Sequence, residues 1–317
     1  MSALRVGIAV TAAALLTACS SDMPEPDPTP APRPTATASS TEPPSPSPAP
    51  PAFDVGRVRA DIRYLAREIG PRHGTSDAYR KAADWMEQRF TELGYTVRRQ
   101  RVGVPAGTSW GIRVPAGRTP NVIASPPDFD DTASHRIVGA HLDTVPQAPG
   151  AEDNASGVAV MLELARVYAD KERPVRFIAF TSEEPRGPGD NQHHFGSRAY
   201  VNRLDAPQRD AMRAMVSLDR VGVRGRAVPL CTGGLGTLRV RGQLAAAGRD
   251  ADAPTSLCKN NRASDHWSFE RNDLPSARVG SIPYAAYHSA RDLPRVVDDR
   301  QLDRVGAIMT AWLRPDS

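Results

Sequence analysis

The sequence predicts an α/β domain, a three-layer sandwich around a mostly parallel, mixed central sheet. Three observations predict it. Apolar runs of strand length recur at Arg136 to Ala140, Val175 to Phe180 and Ala214 to Leu218. Segments with helically spaced apolar residues separate them, Ser156 to Tyr168 above all. Strands alternating with helices imply a sheet that is largely parallel and covered by helices. Finally, acids and histidines gather just past the strand ends, where such sheets bind ligands.

The elements justify this in order. The chain opens with Arg5 and the apolar run Val6 to Ala18. That run is too short to span a bilayer and has the form of a signal-peptide core. It ends Leu16-Thr17-Ala18-Cys19, which resembles a bacterial lipobox. The expectation is a lipoprotein signal over residues 1–18 and an exported protein anchored to the membrane through lipid on Cys19, not spanning it. Residues 19–52 read as a tether. Twelve of the thirty prolines fall between residues 20 and 51, among Ser, Thr and Ala, and such a segment buries no core. Residues 53–317 are globular in composition and sufficient for one well-buried domain, with no internal repeat.

Within that domain, residues 54–69 and 76–93 have helical spacing, the second capped by Gly74-Thr75 and stopped by Gly94. Tyr95 to Val104 and Asn121 to Ala124 read as strands. Helices are predicted around Arg198 to Arg203, over Leu235 to Ala247 and over Gln301 to Leu313, with a strand at Ala277 to Gly280. The formal charge is +4, and the arginines are scattered among acids, so no nucleic-acid surface is expected. With Cys19 assigned to lipid, Cys231 and Cys258 remain, and outside the cytoplasm two such cysteines favour a disulfide.

The chemistry lies in "GAHLDT" at 139–144, where His141 and Asp143 stand two apart at a strand end. That pair alone fits either a solvated strand edge or an imidazole ligand beside the carboxylate that orients it. Equivalent places hold Asp153-Asn154-Ala155-Ser156-Gly157, Glu183-Glu184, Asp219 and Tyr287-His288. Hard carboxylates with two imidazoles suit Zn²⁺ or a similar divalent ion with a position open to water. Adjacent Glu183 and Glu184 can divide labour, one on metal and the other taking a proton.

In this order the motifs His-x-Asp, Asp-Asn-x-Ser-Gly, Glu-Glu, Asp and Tyr-His resemble the co-catalytic zinc aminopeptidases of metallopeptidase family 28. Gly196-Ser197-Arg198-Ala199-Tyr200 and Ser264-Asp265-His266 also match family patterns, and the resemblance covers roughly residues 55–313. It implies the zinc-peptidase, phosphorylase/hydrolase-like fold and two Zn²⁺ per chain. His141 and Asp219 would bind one zinc, Glu184 and His288 the other, with Asp153 bridging. Asp143 would hold the tautomer of His141, and Glu183 would be the general base. Tyr287 is equally a candidate oxyanion donor or a packing residue. The implied substrate is a peptide with a free N-terminus, and a monomer is expected.

Other residues read more plainly. The resemblance leaves the ligand set full, so His193 and His194 are expected to be solvated or substrate-facing. His73 and Arg72 read as structural. His266, Trp267 and Phe269 are expected to line the specificity pocket or to be core. Two features depart from the family: a longer loop over residues 185–195 replaces a short Glu-Glu-x-Gly-Leu-x-Gly-Ser link, and Cys231 and Cys258 are widely spaced. The glutaminyl cyclase branch, with one zinc and an acyl-transfer reaction, is a rival. It usually has Trp where Tyr287 stands and differs after the bridging Asp. A family 20 deacylase shares runs like "AHLDTVP" at 140–146, but the 68 residues between Asp219 and His288 leave no room for its inserted domain. A binding protein with a dead site would lack a ligand or the base, and none is missing.

Overall fold

The computed structural model describes residues 51–169 and 174–314. The signal peptide, Cys19 and the tether up to residue 50 lie outside the described residues. Helices α1 (Val55–Arg63) and α2 (Asp77–Glu92) lead into strands β1 (Thr96–Val104), β2 (Gly107–Ser109), β3 (Ile112–Val114), β4 (Gly117–Ser125) and β5 (His135–His141). Helix α3 (Gly157–Val167), strand β6 (Val175–Phe180), helices α4 (Phe195–Val201) and α5 (Ala206–Ala211) and strand β7 (Met212–Leu218) follow. The chain then runs through β8 (Val228–Cys231), α6 (Arg239–Asp250), β9 (Thr255–Cys258), α7 (His266–Glu270), β10 (Ser276–Val279) and α8 (Asp299–Leu313).

Eight strands form one sheet in the order β1-β4-β6-β5-β7-β10-β8-β9. The central pairs β6–β5, β5–β7 and β7–β10 are parallel, whereas β1–β4, β4–β6 and β10–β8 are antiparallel. Successive side chains of a strand go to opposite faces. On β6, Phe177 and Ala179 therefore join the core under α1, α2, α3, α6 and α8. Ile178 and Phe180 join the second core, with Tyr200 and Val201 of α4 and Phe269 of α7. Helices on both faces of a mixed sheet make the predicted three-layer sandwich. Among the described residues, no helix is long and apolar enough to cross a membrane.

Three local differences from expectation have clear causes. The helix expected over 54–69 changes pitch at Tyr64, because the Leu65 carbonyl accepts from the Gly70 amide at 3.0 Å and from Arg72 Nη1 at 3.3 Å. The helix expected from Leu235 begins only at Arg239. Glu270 Oε1 accepts from the amides of Leu235 (2.6 Å) and Gly236 (2.9 Å) and holds that stretch as a loop. The hairpin β2–β3, strand β8 and the edge strand β9 were not predicted; they are short, and β9 is only partly buried.

Cys231 and Cys258 face each other across β8 and β9 and are joined as a disulfide. The bridge closes a loop of 27 residues, which corresponds to about 3.5 kcal/mol of lost unfolded-state entropy. A Cys231→Ala/Cys258→Ala variant is expected to unfold at clearly lower urea concentration than the oxidised protein. Coincident unfolding curves would show that the bridge adds nothing to global stability.

Candidate active site

Three parallel strands bring the site together. In register, His141 at the end of β5 pairs with Phe180 of β6, and Gly139 pairs with Ser217 of β7. The segments that leave these strands, carrying Asp143, Glu183-Glu184 and Asp219, therefore lie side by side. Asp153 arrives from the turn into α3. Asn154 Nδ2 donates to the Leu218 carbonyl at 2.8 Å. A Cβ on Gly157 would lie 2.2 Å from that same carbonyl oxygen, so only glycine lets α3 start so close to β7. His288 comes from the loop after β10. That loop is tied to the turn by Asp292, which accepts from the amides of Glu152 (2.9 Å) and Asp153 (3.1 Å) and from the Tyr284 hydroxyl (2.9 Å).

Arg72 does what the sequence suggested, and more directly. Its fully buried guanidinium donates to the carbonyls of Leu142 (2.7 Å), Pro149 (2.8 Å) and Gly150 (3.2 Å). It thereby holds both ends of the segment between His141 and Asp153.

The candidate ligand atoms converge. Asp153 is central: Oδ1 is 3.2 Å from His141 Nε2, and Oδ2 is 3.0 Å from His288 Nε2. His288 Nε2 is also 3.3 Å from Glu184 Oε1, and His141 Nε2 is 3.7 Å from Asp219 Oδ1. Three groups have ligand atoms within 4.8 Å of one another: His141/Asp153/Asp219, Asp153/Glu184/His288 and His141/Glu183/Glu184. Asp219 Oδ1 is buried and has no hydrogen-bond partner. Buried anions need compensation, and an orphan carboxylate oxygen facing imidazoles and carboxylates is the donor set that a divalent ion fits.

The electrostatics separate the two adjacent glutamates. Burial, only partly offset by His288, pushes the Glu184 carboxyl up to about 8. Burial also raises Glu183, but the His141 and His194 rings outweigh it and hold that carboxyl below its ordinary range. In the metal-free site the two adjacent carboxyls are thus driven in opposite directions.

Several side chains sit differently from expectation. The Asp143 carboxylate lies 3.8 Å from His141 Nδ1 and instead accepts from the amides of Glu183 (3.0 Å) and Glu184 (3.2 Å). His141 Nδ1 lies 3.1 Å from the Asp143 main-chain carbonyl, so the peptide, not the carboxylate, orients the ring. His194 is buried and not solvated, with Nε2 3.1 Å from Glu183 Oε1. His193 is half-buried and lines the cavity in front of Glu183. His266, Trp267 and Phe269 are buried, and none of them lines that cavity.

The cavity measures about 390 Å³. Tyr287 stacks on His288 at 3.7 Å, and Trp110, at the tip of the β2–β3 hairpin, stands edge-on to His288 at 4.4 Å. No motif pointed to Trp110; the hairpin reaches the site because the Thr108 amide donates to the Arg186 carbonyl at 3.0 Å. Four non-glycine residues at or beside the site, Ser182, His194, Arg220 and His288, have positive φ angles of 47°, 58°, 56° and 51°. Such backbone costs about 1–3 kcal/mol each and collects at functional sites.

The fold and this site define the chain's class. It belongs to peptidase family M28, whose model matches residues 121–313. Aminopeptidase YwaD of Bacillus subtilis (strain 168) is 32% identical over 188 residues, 55% of this chain and 39% of that protein. The uncharacterized protein YfbL of Escherichia coli (strain K12) is 29% identical over 172 residues, 51% of this chain and 48% of that protein. The chain thus spans about half or less of the length of these curated relatives. Among solved structures, BSAP, a zinc aminopeptidase from Bacillus subtilis, superposes with a TM-score of 0.72 at 19% identity, covering 84% of this chain and 95% of that one. A Porphyromonas gingivalis glutaminyl cyclase superposes with a TM-score of 0.66 at 24% identity, covering 82% and 98%. The fold is common to both of these structures.

Proposed function

We propose that the protein is a di-zinc aminopeptidase that hydrolyses the N-terminal peptide bond of peptides. The observation that carries the reading is Asp153, whose two carboxylate oxygens each face a different histidine at 3.2 and 3.0 Å. A carboxylate so placed could serve two ions at once. His141 and Asp219 would complete one position, Glu184 and His288 the other. When bound, zinc would polarise the scissile carbonyl and favour ionisation of water. The chain's own residues do the rest. Glu183 takes the proton of the attacking water and delivers it to the leaving amine. Tyr287 donates to the developing oxyanion. The Asp143 carboxylate, through two amides, fixes where both glutamates stand. The cavity of about 390 Å³ in front of Glu183 is large enough to admit a terminal residue.

His194 positions the base. His194→Gln is expected to lower kcat about 10- to 100-fold, with zinc content and KM little changed. An unaltered kcat would mean that Glu183 is held by its backbone alone.

The remaining expectations stand as part of this reading: a signal peptide over 1–18, lipid on Cys19, a tether over 19–52, and a single catalytic domain over 53–317, outside the cytoplasm and acting as a monomer. The test counts zinc per chain and assays aminoacyl-anilides beside an N-terminal glutaminyl peptide. Two zincs with release of a free amino acid supports the proposal. One zinc with a cyclised glutaminyl product replaces it with acyl transfer.

A further inference from the structure

The β2–β3 hairpin stands beside the candidate site, and the chemistry proposed above gives it no task. Its strands pair from Gly107 with Val114 to Ser109 with Ile112, which leaves Trp110 and Gly111 as a two-residue turn. Both have positive φ, 47° and 85°. That is the pattern of a type I′ turn, in which Asn-Gly is the favoured pair. A bulky residue is rare at such a φ, and such outliers gather where a side chain has a function. The hairpin is also well footed. The Thr108 amide donates to the Arg186 carbonyl at 3.0 Å, and a Cβ on Gly107 would lie 2.0 Å from that oxygen. The buried Arg186 guanidinium donates from Nη1 to the Pro115 carbonyl at 3.0 Å and from Nη2 to Thr75 Oγ1 at 3.3 Å. Arg186 follows closely on Glu183 and Glu184, so the hairpin is fastened to the segment that carries them.

The residues lining the cavity run from a buried floor to an exposed rim. His141, Asp153, Glu183, Glu184 and Asp219 form the floor, and all are buried. Trp110 and Tyr287 stand at the rim, 55% and 38% exposed, with their rings edge-on at 5.9 Å. Every carboxylate among the lining residues belongs to the floor. The cationic N-terminus of a peptide is drawn there, so the first residue enters the cavity and the rest of the chain leaves over the rim. The side chain that passes Trp110 is then the one after the scissile bond. An indole beside a phenol offers it a large apolar surface without charge.

We propose that Trp110, with Tyr287, forms a subsite for the residue after the scissile bond and favours peptides whose second residue is large and apolar or aromatic. The inference rests on the aminopeptidase reading and names the leaving side of its substrates. A large apolar side chain on the indole takes the surface of both out of water, whereas a glycine there leaves the indole exposed.

Trp110 also stands edge-on to His288 at 4.4 Å, so the experiment separates contact with substrate from support of that ring. The zinc-loaded full chain is assayed on an aminoacyl-amide and on dipeptides with Gly, Leu or Phe second, the first residue being the one it accepts best. The wild type is expected to favour Phe over Gly in kcat/KM by ~10-fold or more. In Trp110→Ala that ratio is expected to fall below ~3, mainly through KM, while Trp110→Phe keeps most of it. A role confined to His288 would instead lower turnover of every substrate alike and reduce zinc content. Binding gives a second readout. The Phe dipeptide is expected to change the tryptophan fluorescence of Glu183→Gln and not that of Glu183→Gln/Trp110→Phe. No preference in the wild type, a ratio unmoved in Trp110→Ala, equal losses on amide and dipeptide, or a fluorescence change that survives in the double variant would each overturn the proposal. Absence of hydrolysis of every substrate by the zinc-loaded wild type would instead remove the aminopeptidase reading, and the inference with it.

Discussion

Glu183→Gln is expected to keep its zinc and to lower kcat by about 10³-fold. The amide has the shape of the carboxylate and can still meet His194 Nε2, which lies 3.1 Å from Glu183 Oε1. It cannot accept a proton from water at neutral pH. Glu183 also lies in a group with His141 and Glu184, so the variant separates two roles. Loss of turnover with zinc retained identifies a base. Loss of zinc identifies a ligand. Retained turnover with retained zinc removes Glu183 from the mechanism.

Asp153→Ala is expected to have the larger effect on metal. Losing an outer partner of a metal ligand already costs 10- to 100-fold in affinity, so losing a ligand common to both positions is expected to exceed ~100-fold at each. Zinc per chain after dialysis is expected to fall below one, and activity with it. The metal-free variant loses the buried Asp153 contacts to His141 and His288, so its melting temperature is expected to fall, yet the turn that carries residue 153 is expected to stay in place. The turn is held independently of the Asp153 side chain by Asn154 on Leu218 and by Asp292 on two amides. Metal analysis beside thermal unfolding checks both statements. Two zincs in the folded variant would contradict the shared role of Asp153.

The central strands were legible because their signal is local. β5, β6 and β7 are apolar along almost their whole length, since both faces are covered. The residues just beyond them therefore read as site candidates: His141, Asp153, Glu184, Asp219 and His288 are all brought together. β8 and β9 escaped notice because four residues with Pro229 or an exposed Leu257 carry no such signal.

What the sequence by itself determined is which residues could do chemistry, and that they follow the ends of parallel strands. Only the tertiary structure decided how they act on each other. His194 reads as one more polar loop residue, yet a left-handed backbone turns it inward against Glu183. Asp143 reads as the partner of the His141 ring, yet its carboxylate serves two amides across the next strand. Arg278 is the one charge in a short buried strand, and its meaning depends on Asp219, 59 residues away in sequence and adjacent only because β10 pairs with β7. The physical reason is common to all three. Periodicity and motif spacing report on neighbours along the chain, whereas the pairing of buried charges depends on strand order, which brings distant segments within hydrogen-bonding range.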